Sequence, residues 1–316
     1  MIQSIKIIVK EQKDVFYKNL ADAYLSIGIY EKALYNQCRR TLTSAEKLAD
    51  KNDAIIKTIS QPKDDLNSVE QWNKNILNTI TDKTAFVAMG NIHWSNGCLF
   101  DLKAIREKTK VHSALLIIDG SQTIGAFPFS VKDIQPDALI CAGYKWLFGP
   151  YGCAYAYFGA YFDNGNPIEE NWSNRLNCEN FAGLTNYEPQ YKPLANRYNV
   201  GESGNFIYVK MQIAALKQVI KWTPKAIQEY CKAISKDAVK ELKLIGCKIE
   251  NDKNRSHHLF GIELPEHIDL HALKKDLFSR NIFVSFRGNY IRISCHLFNT
   301  SEDFNPLIQC LSEHLV

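Results

Sequence analysis

A layered α/β chain followed by a smaller α+β unit is what this sequence predicts, and three observations predict it. Between residues 68 and 158 the short apolar runs "TAFVAMGNI", "ALLIIDG", "DALICAG" and "CAYAYFG" alternate with helix-spaced segments. Runs of that kind belong to strands buried on both faces of a mixed, mostly parallel sheet. The 316 residues, 46% hydrophobic and 23% charged, suffice to bury a sizeable core. After residue 206 the order changes to helix, strand, helix, strand pair and helix, which suits a smaller α+β layer.

In chain order, residues 13–60 carry apolar side chains at spacings of three and four with little to break them but Gly28, which predicts helix. Tyr17, Leu20, Ala21, Tyr24, Gly28, Tyr30 and Ala33 resemble one tetratricopeptide repeat, but such units need stacked neighbours, and an ordinary helical pair packed on the main domain is the favoured reading. "SVEQWNKNILNTI" and "LFDLKAIREKTKVH" have helical spacing and flank the strand-like "TAFVAMGNI". A loop-rich stretch at 160–205 precedes a long helix-patterned segment at 206–245. The strand "HHLFGIEL", a helix near "DLHALKKDLFSRN", the strand pair "IFVSF" and "YIRISCHL" about Arg287-Gly-Asn, and a final helix complete the chain. The expected division is a helical segment at 1–50, a large α/β domain at 51–210 and a small α+β domain at 211–316.

Composition narrows the function classes. Thirty-eight basic against 34 acidic side chains give a net charge of +4, spread along the chain, so neither nucleic acid nor an anionic membrane is an expected partner. The opening "MIQSIKIIVKEQKD" is too short in apolar residues for a secretory leader and no run spans a bilayer, which places the expectation in the cytoplasm. Nine cysteines without a C-x-x-C pair signal neither a disulfide framework nor a zinc site, and no metal is expected.

In an open α/β sheet, side chains at the carboxyl ends of strands are the functional candidates. Here three such runs lead to His93, to Asp119 with Gln122 just beyond, and to Lys145 in "AGYKWLFGPYG". A lysine is costly to hold away from water unless paired or neutralised, and a neutral amine is a nucleophile. Lysine, carboxylate and histidine together suit pyridoxal 5'-phosphate. The lysine forms the Schiff base, the carboxylate keeps the pyridine nitrogen protonated, and an aromatic ring covers the face.

"NIHWSNGCLFDLKAI", "LLIIDGSQTIGAFPFSV", "PDALICAGYKWLFGPYGCAYAYFG", "NRYNVGESGN" and "IRISCHLFNTSED" together resemble the class V aminotransferases, pyridoxal-phosphate enzymes with a large α/β and a small C-terminal domain. The resemblance implies Lys145 as the Schiff-base lysine, Asp119 as the partner of the pyridine nitrogen, Gln122 near the phenolic oxygen and His93 as the stacked aromatic. It further implies Tyr144 and Ser203 as phosphate contacts, Ser203 serving the neighbouring chain of a homodimer. Arg292 would bind the carboxylate of an amino-acid substrate, with Arg287 as a second anion contact. Tyr144 and "FRGNYIRISCHLFNTSED" resemble the kynureninase-like and isopenicillin-N-epimerase-like branches. Because no cysteine lies between Cys247 and Cys295, the nucleophile of the family's desulfurases has no counterpart before the arginine strand.

The family's phosphate-binding loop and helix N-terminus are not recognisable ahead of "AEKLADKNDAIIKTI", which reads as a truncated or replaced start. The expected function is an epimerase, lyase or aminotransferase reaction on an amino acid. The alternative is a degenerate copy without catalysis that binds a protein partner through residues 13–45.

Overall fold

The computed structural model describes residues 4–9, 54–62, 68–167, 169–201 and 204–315. Residues 13–45, with the tetratricopeptide-like pattern, and Ser203 lie outside the described residues.

The elements follow as β1 (Ser4–Val9), β2 (Ile55–Ser60), α1 (Ser68–Thr79), β3 (Thr84–Gly90), α2 (Leu102–Val111), β4 (Leu115–Asp119), α3 (Val131–Ile134), β5 (Ala138–Ala142) and β6 (Ala154–Phe158). They continue with α4 (Phe206–Trp222), α5 (Pro224–Leu244), β7 (Leu259–Glu263), α6 (Leu270–Ser279), β8 (Ser285–Arg287), β9 (Tyr290–Ser294) and α7 (Asn305–Leu315).

Six strands form one sheet in the order β2-β1-β3-β4-β5-β6. The ladders β3·β4 and β4·β5 are parallel, whereas β1 pairs antiparallel with both β2 and β3, and β6 antiparallel with β5. So β2, β3, β4 and β5 run one way and β1 and β6 the other. Along β4, Leu116 and Ile118 face a core shared with Trp72, Ile76 and Ile105, while Leu115 and Ile117 face Phe86, Phe162 and Tyr198. Both faces are covered, which is why this run is continuously apolar. A second sheet, β7-β9-β8, is antiparallel and shares a core of Phe260, Ile262, Ile291 and Ile293 with residues of α5, α6 and α7. Gly288, at φ +64°, makes the tight turn between β8 and β9.

Three expectations need correction. Helix was expected through residue 60, yet Ile55–Ser60 is a strand, and Ser4–Val9, inside the stretch assigned to a helical segment, is its partner. Both are rich in isoleucine, whose β-branched side chain favours a pleated surface, and tertiary pairing overrode a helical spacing. The segment 206–245 is two helices, broken where Thr223 takes a positive φ of 62°, caps the Ala226 amide and hands over to Pro224. Strand β6 was read as a buried run, yet it is an edge strand with Tyr155 and Tyr157 exposed.

Candidate active site

The register of the sheet assembles the site. Gly90 pairs with Asp119 and Asp119 with Ile140, so the carboxyl ends of β3, β4 and β5 stand side by side, about 4.8 Å apart. Beyond the ladder Asp119 Oδ1 accepts the Ser121 amide at 2.9 Å, which fixes the carboxylate at the end of its strand. Ser121 Oγ accepts the Ala142 amide at 3.2 Å and keeps β4 and β5 together at the point where β5 delivers Lys145.

Lys145 sits on a loop closed by its own backbone. The Gly149 amide donates to the Gly143 carbonyl at 2.8 Å and the Phe148 amide to the Lys145 carbonyl at 3.1 Å. From α4, the buried Gln212 donates through Nε2 to the Leu147 carbonyl at 3.2 Å. Gly125, at φ +98°, lets the chain after Gln122 run against this loop, since a Cβ there would stand 2.4 Å from the Trp146 carbonyl oxygen. Lys145 is half-buried, and its amine has no hydrogen-bond or ion-pair partner among the described residues. Tyr144 stacks on Tyr151 with ring centroids 4.4 Å apart.

Gln122 is held from two sides. Its side-chain Oε1 accepts the indole N–H of Trp146 at 2.9 Å, and its backbone carbonyl lies 2.9 Å from His258 Nε2. The two arginines converge on Trp94. Arg292 donates from Nη1 to the Trp94 carbonyl at 3.2 Å, and the Arg287 guanidinium lies 5.6 Å from the Trp94 ring centroid while donating to its neighbour's carbonyl, that of Phe286. The loop carrying Trp94 is in turn bonded to β7, through the Gly261 amide to the Asn96 carbonyl at 2.8 Å.

The structure thus brings Asp119, Gln122 and Lys145 to neighbouring strand ends, and Arg287 and Arg292 to the residue after His93. His93 itself turns inward. Its ring packs edge-on against Trp72 at 5.0 Å and Phe100 at 6.4 Å, and Nδ1 lies 2.9 Å from Asn96 Oδ1. Burial pushes its pKa down to about 4, so the ring is neutral at pH 7. None of its described contacts is with Asp119, Gln122 or Lys145. Trp94, Trp146 and His258 were missed in the sequence; the aromatics adjoining His93 and Lys145 were the available signal for the first two.

The Aminotransferase class-V family matches residues 40–306. The uncharacterized aminotransferase YcbU of Bacillus subtilis is 26% identical over 231 residues, which cover 72% of this chain and 59% of that protein. A hercynylcysteine sulfoxide lyase of Schizosaccharomyces pombe is 34% identical over 71 residues, 22% of this chain and 18% of the lyase. The chain spans little more than half the length of the first curated relatives, 59% and 54%. Among solved structures, the apo cysteine desulfurase of Thermococcus onnurineus NA1 has a TM-score of 0.69 at 15% identity, over 98% of this chain and 78% of that one. The cystine C-S lyase C-DES, in complex with its product cysteine persulfide, has a TM-score of 0.67 at 19% identity, over 77% of this chain and 64% of that one. At such identities these likenesses show the fold alone.

Proposed function

The chain belongs to the aminotransferase class-V family, and from that membership we propose that it is a pyridoxal-phosphate enzyme acting on an amino acid, with Lys145 holding the cofactor covalently. One observation supports the reading: the register that sets Asp119 beside Ile140 puts its carboxylate at the strand end next to β5, and the loop after β5 carries Lys145, whose amine has no partner among the described residues. The donor set fits the ring end of that cofactor, with an amine for its aldehyde carbon, a carboxylate for its ring nitrogen and the Gln122 amide for its phenolic oxygen. Bound there, pyridoxal phosphate supplies an electron sink for charge developing at the substrate Cα.

The residues divide the remaining work. Asp119 holds a proton on the ring nitrogen, and its own orientation is kept by the Ser121 amide. Arg292 binds the substrate carboxylate through its guanidinium fork, with Arg287 beside it. Lys145 Nζ would be the group that takes and returns the Cα proton. Tyr144 and Ser203 are proposed phosphate contacts. A homodimer in which Ser203 serves the neighbouring chain is supported by the exposed apolar residues Phe206, Ile207, Met211 and Ile213 on α4.

The reaction subtype is kept to epimerisation, lysis or transamination. Desulfuration through a persulfide on the arginine hairpin is disfavoured, because β8 and β9 hold no cysteine, and Cys295, just beyond, is buried and donates to the His257 carbonyl at 3.3 Å. The family match supports no single branch, so the assignment stands at the family. The interaction-module alternative rests on residues 13–45 and draws nothing from the described geometry. The test is incubation with pyridoxal phosphate, borohydride reduction and peptide mapping: an adduct on Lys145 is expected, and none in Lys145→Ala.

A further inference from the structure

We infer that Trp146 and His258 are positioning residues: Trp146 fixes which end of the Gln122 side-chain amide is presented to the cofactor, and His258 ties the Gln122 backbone to the chain just beyond the strand that carries Arg292. The inference rests on the function proposed above and on a set of donors and acceptors that admits one arrangement.

An indole N–H only donates, so the Gln122 atom 2.9 Å from Trp146 Nε1 is the carbonyl oxygen. The NH2 group is then the end left for the cofactor, and it is a donor. An amide without such a partner presents oxygen or nitrogen by a simple flip, and only the nitrogen can donate to a phenolic oxygen.

The backbone of the same residue is fixed by the same logic. A carbonyl only accepts, so His258 Nε2, 2.9 Å from the Gln122 carbonyl, carries the ring proton. His258 Nδ1 is therefore the lone pair, and it accepts from Gln228 Nε2 at 2.7 Å. The second hydrogen of that nitrogen goes to the Ala126 carbonyl at 2.7 Å, and Gln228 Oε1 accepts the His257 amide at 2.9 Å. Each amide end and each ring nitrogen in this network has one permitted role. His258 is wholly buried and meets the Trp146 ring edge to face, with centroids 4.5 Å apart at 87°. Burial holds it neutral, which the one-proton arrangement requires.

The link reaches the substrate side through the backbone. The His258 carbonyl accepts the Cys295 amide at 3.0 Å, three residues beyond Arg292. The residue proposed for the phenolic oxygen and the residue proposed for the substrate carboxylate are therefore joined through a single buried histidine.

The experiment is a pair of substitutions read in two ways. Trp146→Phe keeps a ring and removes the N–H. With pyridoxal phosphate bound, it is expected to displace the visible absorption maximum and to lower kcat about three- to tenfold, the worth of one hydrogen bond, with KM changed less than about twofold. In a Gln122→Met background the same substitution should leave the spectrum unmoved, because Trp146 acts through Gln122. The second readout is the Trp146 indole proton without added cofactor, whose exchange with solvent should be slow in the natural chain and faster in Gln122→Met. It serves equally if Trp146→Phe does not fold. An equal spectral shift in both backgrounds, no shift in either, or an indole proton indifferent to Gln122 overturns the inference. Absence of a Lys145 adduct overturns the proposed function instead, and the indole measurement still decides this one.

Discussion

The proposed role of Arg292 turns on the chemistry of its guanidinium. A guanidinium binds a carboxylate with two parallel hydrogen bonds, and an ammonium in its place cannot. Arg292→Lys is expected to raise KM for the amino acid about ten- to a hundredfold, with a smaller effect on kcat; unchanged KM in steady-state kinetics would remove Arg292 from the substrate site. The buried histidines give a second prediction. Burial pushes His93 and His257 down to about 4 and His258 to about 3 from the ordinary 6.5. Each is held neutral by the fold, so the unfolded chain binds more protons as the pH drops below 6.5. Their stabilising contribution is complete above that pH and is lost progressively toward pH 4 and 3. The urea midpoint should fall between pH 7 and pH 5, and a flat midpoint would contradict it. The placement of Asp119, Gln122 and Lys145 at or just beyond strand ends was legible in the sequence, because each follows an apolar run that had to be a strand. Trp146 and His258 were not, since their partnerships with Gln122 span 24 and 136 residues and only the folded chain reveals them. The packing of the His93 ring edge-on against Trp72 and Phe100 was not legible, because both partners come from other segments of the chain.

At the scale of elements, what could be read was the middle of the chain, where both faces of a strand are buried and its residues must all be apolar. The first strands were lost because β2 lies at the sheet's edge and is mostly exposed, so its pattern carried little burial signal. Trp72 shows what holds that edge in place: wholly buried on α1, it donates its indole N–H to the Ile59 carbonyl of β2 at 2.9 Å. Trp72→Ala should therefore cost about 3–5 kcal/mol in denaturant unfolding, from the cavity and the orphaned carbonyl. A cost under about 1 kcal/mol would mean that the edge does not depend on this residue. The break at Thr223 was legible in principle, since Pro224 follows directly and a proline at the first helical position marks a start rather than a continuation.

For the molecule as a whole, two cores meet at one seam, where the loop after β3 is bonded to β7 of the second sheet. Gly97 makes the seam possible. It sits at φ +75°, and a Cβ there would stand 2.0 Å from the Leu259 carbonyl oxygen. Gly97→Ala is expected to destabilise the chain by more than about 2 kcal/mol and to weaken amino-acid binding, because Trp94 and Arg292 meet across the same seam. Wild-type stability and KM in that variant would show the seam to be dispensable. Among the described residues no helix is long and apolar enough to cross a membrane. The most direct test of the account is the visible spectrum of the chain with pyridoxal phosphate, followed by borohydride reduction and mapping of the modified peptide. A coloured protein with a reduced adduct on Lys145 alone is expected. A colourless protein, or an adduct on another lysine, would contradict it.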